Sequence, residues 1–234
     1  MKSRTKKKLF TAICVLFMVA ALAIPCSIVT GSDAYAATTS TTAKNGLKKV
    51  KGKYYYYQNG KKIKSKWKTI KGKKYYFKKS GEAAVLTCKI KGKYYIFNKK
   101  GQLVTPKSTK IVTIGNEKYR VNAKGQAVGG WTKSKKYRFY ENGKMVTGIE
   151  VFNEKFYYFN ASGKYNAEKT AQLRKAAKYE KDFSDLKALI GEPKKAKYYD
   201  GCYGDGKDGI LTYDKFTVYT YKATDGSEIF MGAE

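Results

Sequence analysis

One short unit, written six times between about Asn45 and Asn166, limits what this chain can fold into more than any other feature. The copies read VKGKYYYYQNGKKI (50–63), IKGKKYYFKKSGEA (70–83), IKGKYYIFNKKGQL (90–103), IGNEKYRVNAKGQA (114–127), KSKKYRFYENGKMV (133–146) and FNEKFYYFNASGKY (152–165). Their closing glycines, Gly60, Gly81, Gly101, Gly125, Gly143 and Gly163, are spaced by 21, 20, 24, 18 and 20 residues. A period near 20 residues marks a solenoid, in which each unit is too small to bury its own apolar face and relies on its neighbours.

Within a copy, a turn residue (Gly52, Gly72, Gly92, Asn116, Ser134 or Asn153) precedes three or four aromatic or β-branched residues, and a second turn follows. Aromatic and β-branched side chains suit a pleated, half-buried strand, and Gly or Asn tolerate the positive φ of tight turns, so each copy is a β-hairpin. Alternate strand residues face opposite ways. One of the pairs in Tyr54-Tyr55-Tyr56-Tyr57 can therefore line the axial core while the other stays near solvent, as core filler or as ligand platform. The expected fold class is mainly β: a solenoid of about six stacked hairpins, followed by a small α+β module.

These units resemble the cell-wall-binding repeats of choline-binding proteins, streptococcal glucan-binding domains and clostridial toxin receptor-binding regions. TIKGKKYYFKKSG (69–81) and GKYYIFNKKG (92–101) carry the hairpin half of that pattern, and Gly130-Trp131 its opening pair. The resemblance implies a solenoid that docks a protein onto a surface polymer. It also implies aromatic boxes made of an opening Trp and alternate strand aromatics, which hold a quaternary ammonium by cation–π attraction.

Carried over, the opening Trp survives only as Trp67 and Trp131, with Leu47, Cys88, Lys110 and Ile149 near that place elsewhere. The strand positions are Tyr54, Lys74, Tyr94, Lys118, Tyr137 and Phe156, then Tyr56, Tyr76, Ile96, Arg120, Phe139 and Tyr158. Only Tyr54/Tyr56/Trp67 and Trp131/Tyr137/Phe139, joined by Phe156, approach a complete box, and Lys74 and Lys118 would repel a cationic ligand. The candidate ligand platforms are thus Tyr54, Tyr56, Trp67, Tyr76, Tyr94, Trp131, Tyr137, Phe139, Phe156 and Tyr158. Tyr-rich, Trp-poor copies resemble the carbohydrate-binding branch of the family, in which Tyr rings stack on sugars.

Before the repeats, Lys2, Arg4, Lys6, Lys7 and Lys8 precede an apolar run from Leu9 to Ile24, and Ala34-Tyr35-Ala36 offers a cleavage site. That pattern predicts a signal peptide over 1–36, with a Thr/Ser-rich linker over 37–44 and no span left after cleavage. Charge is uneven. Residues 44–166 hold 32 basic and 5 acidic residues, net +27, whereas 167–234 hold 12 of each. Lysines on β edges guard against aggregation, yet this concentration is self-repelling and points to an anionic partner. For an exported chain, that partner is a teichoic acid-like or other anionic wall polymer, an acidic glycan or a phospholipid surface, not nucleic acid.

After Asn166 the hydrophobic period shifts from two towards 3.6. Asn166 can cap a helix to about Tyr179, and a second starts near Asp182 or Ser184 and stops at Gly191-Glu192-Pro193. Strands follow at Lys197–Tyr199, Ile210–Tyr213, Phe216–Tyr221 and Ser227–Met231. This order resembles the two-helix/four-strand β-lactamase-inhibitor-like module, expected to fold alone over 167–234 or to cap the solenoid, and available to a protein partner. Chemistry is sparse: there is no His, so the commonest general base and metal ligand is missing. Asp200, Asp205 and Asp208 lack EF-hand spacing and read as turn residues. Cys88 and Cys202 lie in different modules, as buried thiols or a disulfide. No catalytic residue, metal or cofactor is expected.

Overall fold

The structure, a computed structural model, describes residues 45–201 and 204–234; the expected signal peptide and linker lie outside the described residues, as does Cys202. Six antiparallel hairpins follow one another. The first joins β1 (Gly46–Val50) to β2 (Lys53–Gln58), with a short β3 (Lys61–Lys62) beside it. The next are β4 (Lys66–Ile70) with β5 (Lys73–Phe77), β6 (Leu86–Ile90) with β7 (Lys93–Phe97), and β8 (Lys110–Ile114) with β9 (Glu117–Val121). The last two are β10 (Gly130–Trp131) with β11 (Arg138–Phe139), and β12 (Gly148–Phe152) with β13 (Lys155–Phe159).

The tips of the first three hairpins are Lys-Gly pairs with both residues at positive φ, as at Lys51 (46°) and Gly52 (79°). That is the two-residue turn whose twist matches the flanking strands. The second turn of each later copy is longer and closes with a backbone bond from its glycine, for example Gly101 N–H to the Asn98 carbonyl at 3.0 Å.

Hairpins are joined by one recurring hydrogen bond. The residue two past each closing glycine donates its N–H to a carbonyl in the preceding hairpin: Ala83 to Tyr54, Leu103 to Lys74, Ala127 to Tyr94, Met145 to Lys118 and Tyr165 to Lys136, at 2.7–2.9 Å. The closing glycine sits against the preceding unit. A Cβ on Gly143 would lie 2.9 Å from the Ala127 Cβ and 3.0 Å from the Arg120 carbonyl, at φ 81°, so conformation and close approach both demand glycine there. The last strand residues Phe77, Phe97, Val121, Phe139 and Phe159 form the fully buried row between units. Each is worth roughly 1.5–3 kcal/mol of burial.

This hydrogen-bond pattern corrects the sequence register in three places. Phe139 bridges Met145 as Phe77 bridges Ala83, and the Tyr165–Lys136 bond matches the Leu103–Lys74 bond. Lys136, not Tyr137, therefore stands at the place of Lys74, and Phe139 belongs to the core row. The fifth hairpin has a longer tip, held by the Thr132 N–H bonded to the Tyr137 carbonyl, and this displaces its strand by one residue. At the opening position, pairing opposite Ile96 and Arg120 puts Thr87 and Ile111 where Cys88 and Lys110 were expected.

Beyond the hairpins lie α1 (Ala167–Ala176), α2 (Ser184–Ile190) and an antiparallel sheet β14 (Lys195–Asp200), β15 (Lys207–Thr212), β16 (Thr217–Lys222) and β17 (Glu228–Ala233), in sequence order. The Asn166 side chain accepts the Lys169 N–H at 2.8 Å, the expected cap. Gly191 ends α2 at φ 80°. Leu173 of α1, Leu186 of α2, and Leu211, Val218, Phe230 and Ala233 of the sheet bury one core.

Phe156 of the sixth hairpin is inside that same core, 1% exposed and edge-on to Phe216 with ring centres 5.5 Å apart. The Tyr158 N–H donates to Thr170 Oγ1 at 3.0 Å, and Arg174 Nε donates to the Phe156 carbonyl at 2.9 Å. Composition changes at residue 166, but the core does not. Cutting there strips the module of Phe156, Ile149 and Val151. A fragment 148–234 should therefore melt cooperatively and well above 167–234; equal melting temperatures would show that the sixth hairpin adds nothing to the module.

The junction also holds a buried polar knot. Glu150, 3% exposed, accepts from the Tyr140 hydroxyl and pairs with Lys215 Nζ at 2.8 Å, while Lys215 also donates to the Thr147 carbonyl. Burial, then the bond to Glu150, pushes the Tyr140 phenol well above the ordinary tyrosine range. Burial and the nearby Glu192 and Glu228 push Tyr213 up to about 12. Both phenols are neutral in the fold with raised pKa, so their contribution is intact below about pH 10 and drains away as pH climbs towards the folded values. The melting temperature should fall between about pH 10 and 12, and Tyr140→Phe with Tyr213→Phe should flatten that fall. An unchanged alkaline profile in the double variant would contradict the assignment.

Candidate functional site

The aromatic boxes are built across two consecutive hairpins rather than within one. Trp67 of β4 packs on its cross-strand partner Tyr76 (ring centres 5.2 Å apart) and on Tyr95 (5.1 Å) and Phe97 (5.8 Å) of the next hairpin. Trp131 of β10 repeats the arrangement with Tyr157 (5.9 Å) and Phe159 (5.5 Å), which occupy the strand places of Tyr95 and Phe97, and adds Tyr165 edge-on at 5.3 Å. Leu47 stands in the first hairpin where Trp67 stands in the second, packed with Tyr56, Tyr75 and Phe77.

Of the ten expected platforms, Trp67 and Tyr76 come together. Tyr54 and Tyr56 sit instead in the Leu47 cluster, and Tyr94 lies on the β7 strand beside Lys89. Trp131 is not joined by Tyr137 and Phe139. Phe139 and Phe156, 2% and 1% exposed, are packing residues with no face open to a ligand, and Tyr158 is covered by α1. Tyr95, Tyr157 and Tyr165 are box members that reading single copies missed, and Phe97 and Phe159, fully buried, back each box from the core row. The signal was present: the same two strand positions of the following copy.

The boxes already contain cations. Lys74 Nζ stands 4.8 Å over the Trp67 ring. The Arg138 guanidinium, cross-strand from Trp131, lies 4.0 Å over Phe152 and 5.7 Å from Trp131, with its Nε buried and unpartnered. Elsewhere Lys62 covers Tyr55 at 4.0 Å, Lys68 covers Tyr56 at 5.2 Å, Lys89 covers Tyr94 at 5.3 Å, Lys169 covers Tyr158 at 4.6 Å and Arg174 covers Tyr157 at 4.3 Å. Aromatic faces that could receive an external ammonium are met by the chain's own. A positive charge on the ring favours a ligand that is neutral or anionic.

Around these boxes, Tyr75 and Tyr95 hydroxyls accept from Gln102 and Gln126 Nε2 of the following hairpin at 3.2 and 3.4 Å, which fixes the rings. Cys88 is a free, half-buried thiol whose pKa burial raises, so it stays protonated. Among the described residues, no cluster of His, Cys, Asp or Glu is placed to hold a metal ion, and no helix is long and apolar enough to cross a membrane.

Comparison with known proteins agrees with this geometry at one segment. Residues 65–83, which span Trp67, Lys74 and Tyr76, match the cell wall binding repeat family. A search of curated proteins returns no significant match. Among solved structures, choline-binding protein F from Streptococcus pneumoniae is 31% identical, over 53% of this chain and 42% of that one, with a TM-score of 0.35. The pneumococcal cell wall endolysin from phage Cp-1, complexed with choline, is 26% identical over 53% of this chain and 37% of that one, with a TM-score of 0.37. This chain spans less than half the length of either. The likeness of residues 167–234 to a β-lactamase-inhibitor-like module rests on element order alone.

If Lys74 fills the Trp67 box, removing it should open the box. In Lys74→Ala, millimolar choline should raise the melting temperature, while the parent chain shows no shift. A choline-dependent rise in the parent, or none in the variant, would show that Lys74 does not control access.

Proposed function

We propose that this chain is an exported, noncatalytic protein that attaches to a bacterial cell-wall or surface polymer, anionic or glycan in nature, through its aromatic, Lys-rich hairpins. The observation that carries this reading is the pairing of the boxes with internal cations, Lys74 over Trp67 and Arg138 over Phe152, in an array of net charge +27. The family match supports attachment to a wall; the internal cations support an anionic or neutral ligand over choline. The relevant setting is a Gram-positive surface, where teichoic acid-like polymers are exposed.

The mature chain should bind purified walls, and retention should fall steeply as salt rises past physiological strength, where exposed charges are screened over about 8 Å. Millimolar choline should not elute it. Retention unchanged in roughly 1 M salt would assign anchoring to ring stacking and shape instead.

A second reading makes the chain a wall-tethered adaptor whose 167–234 module captures a protein. The exposed edge strand β14, with Tyr199 49% exposed, favours it. Deleting the module while keeping wall binding, then testing for loss of a co-retained protein, separates the two.

A further inference from the structure

The positive charge is not spread along the array. Residues 45–105, the first three hairpins, hold nineteen lysines and one acidic residue, Glu82; residues 106–166 hold twelve basic and four acidic residues. Glu82 is already engaged, by Lys53 at 2.6 Å and Lys78 at 3.4 Å. In the later hairpins, Glu117 pairs with Lys144 and Glu150 with Lys215. The net charge is therefore +18 on the first half and +8 on the second.

The basic groups of the first half are all lysine; the array's only arginines, Arg120 and Arg138, lie in the second. Arginine's fork fixes its geometry on carboxylate and phosphate oxygens alike through two parallel hydrogen bonds, whereas lysine is a mobile point charge. Lys51, Lys71 and Lys91 also occupy one repeated place, the exposed first residue of each hairpin tip, at φ 46°, 46° and 48°. Asn or Gly would suit that backbone better. Tip charge stands where conformation argues against it.

We infer that the first three hairpins form the polymer-binding segment, and that their ligand is a linear polyanion whose dispersed charges are held without a fixed register. This rests on the wall-binding reading and narrows it. Such a chain presents one charge per repeat, and a row of flexible ammonium groups can track it. The second half and the module then lie outside the main binding surface.

The test uses the mature chain and three polymers matched in charge: synthetic poly(glycerol phosphate), polyglutamate and single-stranded DNA. The tip triple Lys51→Asn/Lys71→Asn/Lys91→Asn removes three charges with a residue that accepts positive φ. The control triple Lys124→Asn/Lys135→Asn/Lys164→Asn removes three from the second half. The tip triple should weaken poly(glycerol phosphate) binding roughly tenfold or more, the effect of deleting three exposed ammonium groups that each face the polymer. The control should weaken it less than about threefold, and melting temperatures show whether each triple stays folded. Equal weakening in the two triples would overturn the assignment to the first half. All three polymers should bind the mature chain, and binding of one alone would overturn recognition by dispersed charge without fixed register. Wall retention without poly(glycerol phosphate) binding would sink this inference and leave wall binding intact; loss of both would sink the two together.

Discussion

Every unit of the array after the first is tied to the unit before it by a recurring backbone hydrogen bond. Ala83, Leu103, Ala127, Met145 and Tyr165 each reach back to the preceding hairpin, and a two-stranded ribbon alone is marginal in water. The bond fixes the phase in which Phe77, Phe97, Val121, Phe139 and Phe159 fall into one buried row. The same phase brings the strand aromatics of one hairpin over the opening residue of the previous one. Box and core are two outcomes of a single repeated contact, and the closing glycine keeps that contact short.

Electrostatics is layered on this frame. A cage lined by rings attracts any cation, and the nearest available cation is a lysine from the facing strand. Lys74 over Trp67 and Arg138 between Phe152 and Trp131 place the chain's own positive charge on these rings. On the proposed reading, selectivity lies in the residue opposite or beside the tryptophan, not in the tryptophan.

Much of the architecture was legible from Gly60 to Gly163, because a period near 20 residues with aromatic strands admits few solutions. The C-terminal elements were readable for local reasons: Asn166 as cap, Gly191 as stop, and Asp182 and Ser184 at the start of the second helix. Registers failed where turn length varied. The longer fifth tip moved Lys136 into the place assigned to Tyr137, and pairing moved Thr87 and Ile111 into the opening place. The boxes were misassembled for a different reason. Their walls come from successive copies, and a pattern inside one copy cannot say which neighbour supplies the missing ring. Lys74 stood at a strand position of the repeat in the sequence, but its place over Trp67 follows only from the way the strands pair.

The core that unites Phe156 with Leu173, Leu211 and Phe230 gives the solenoid a direction. It is the largest hydrophobic cluster among the described residues, it lies at the carboxyl end, and every hairpin upstream is held mainly by its neighbours. A structure of stacked units grows outward from wherever its packing is richest. Order therefore spreads from the last hairpin towards the first, against the order in which a ribosome makes the chain. The lysine-dense hairpins are mutually repelling and lie farthest along the chain from that anchor, so their order rests most on the contacts between neighbouring units.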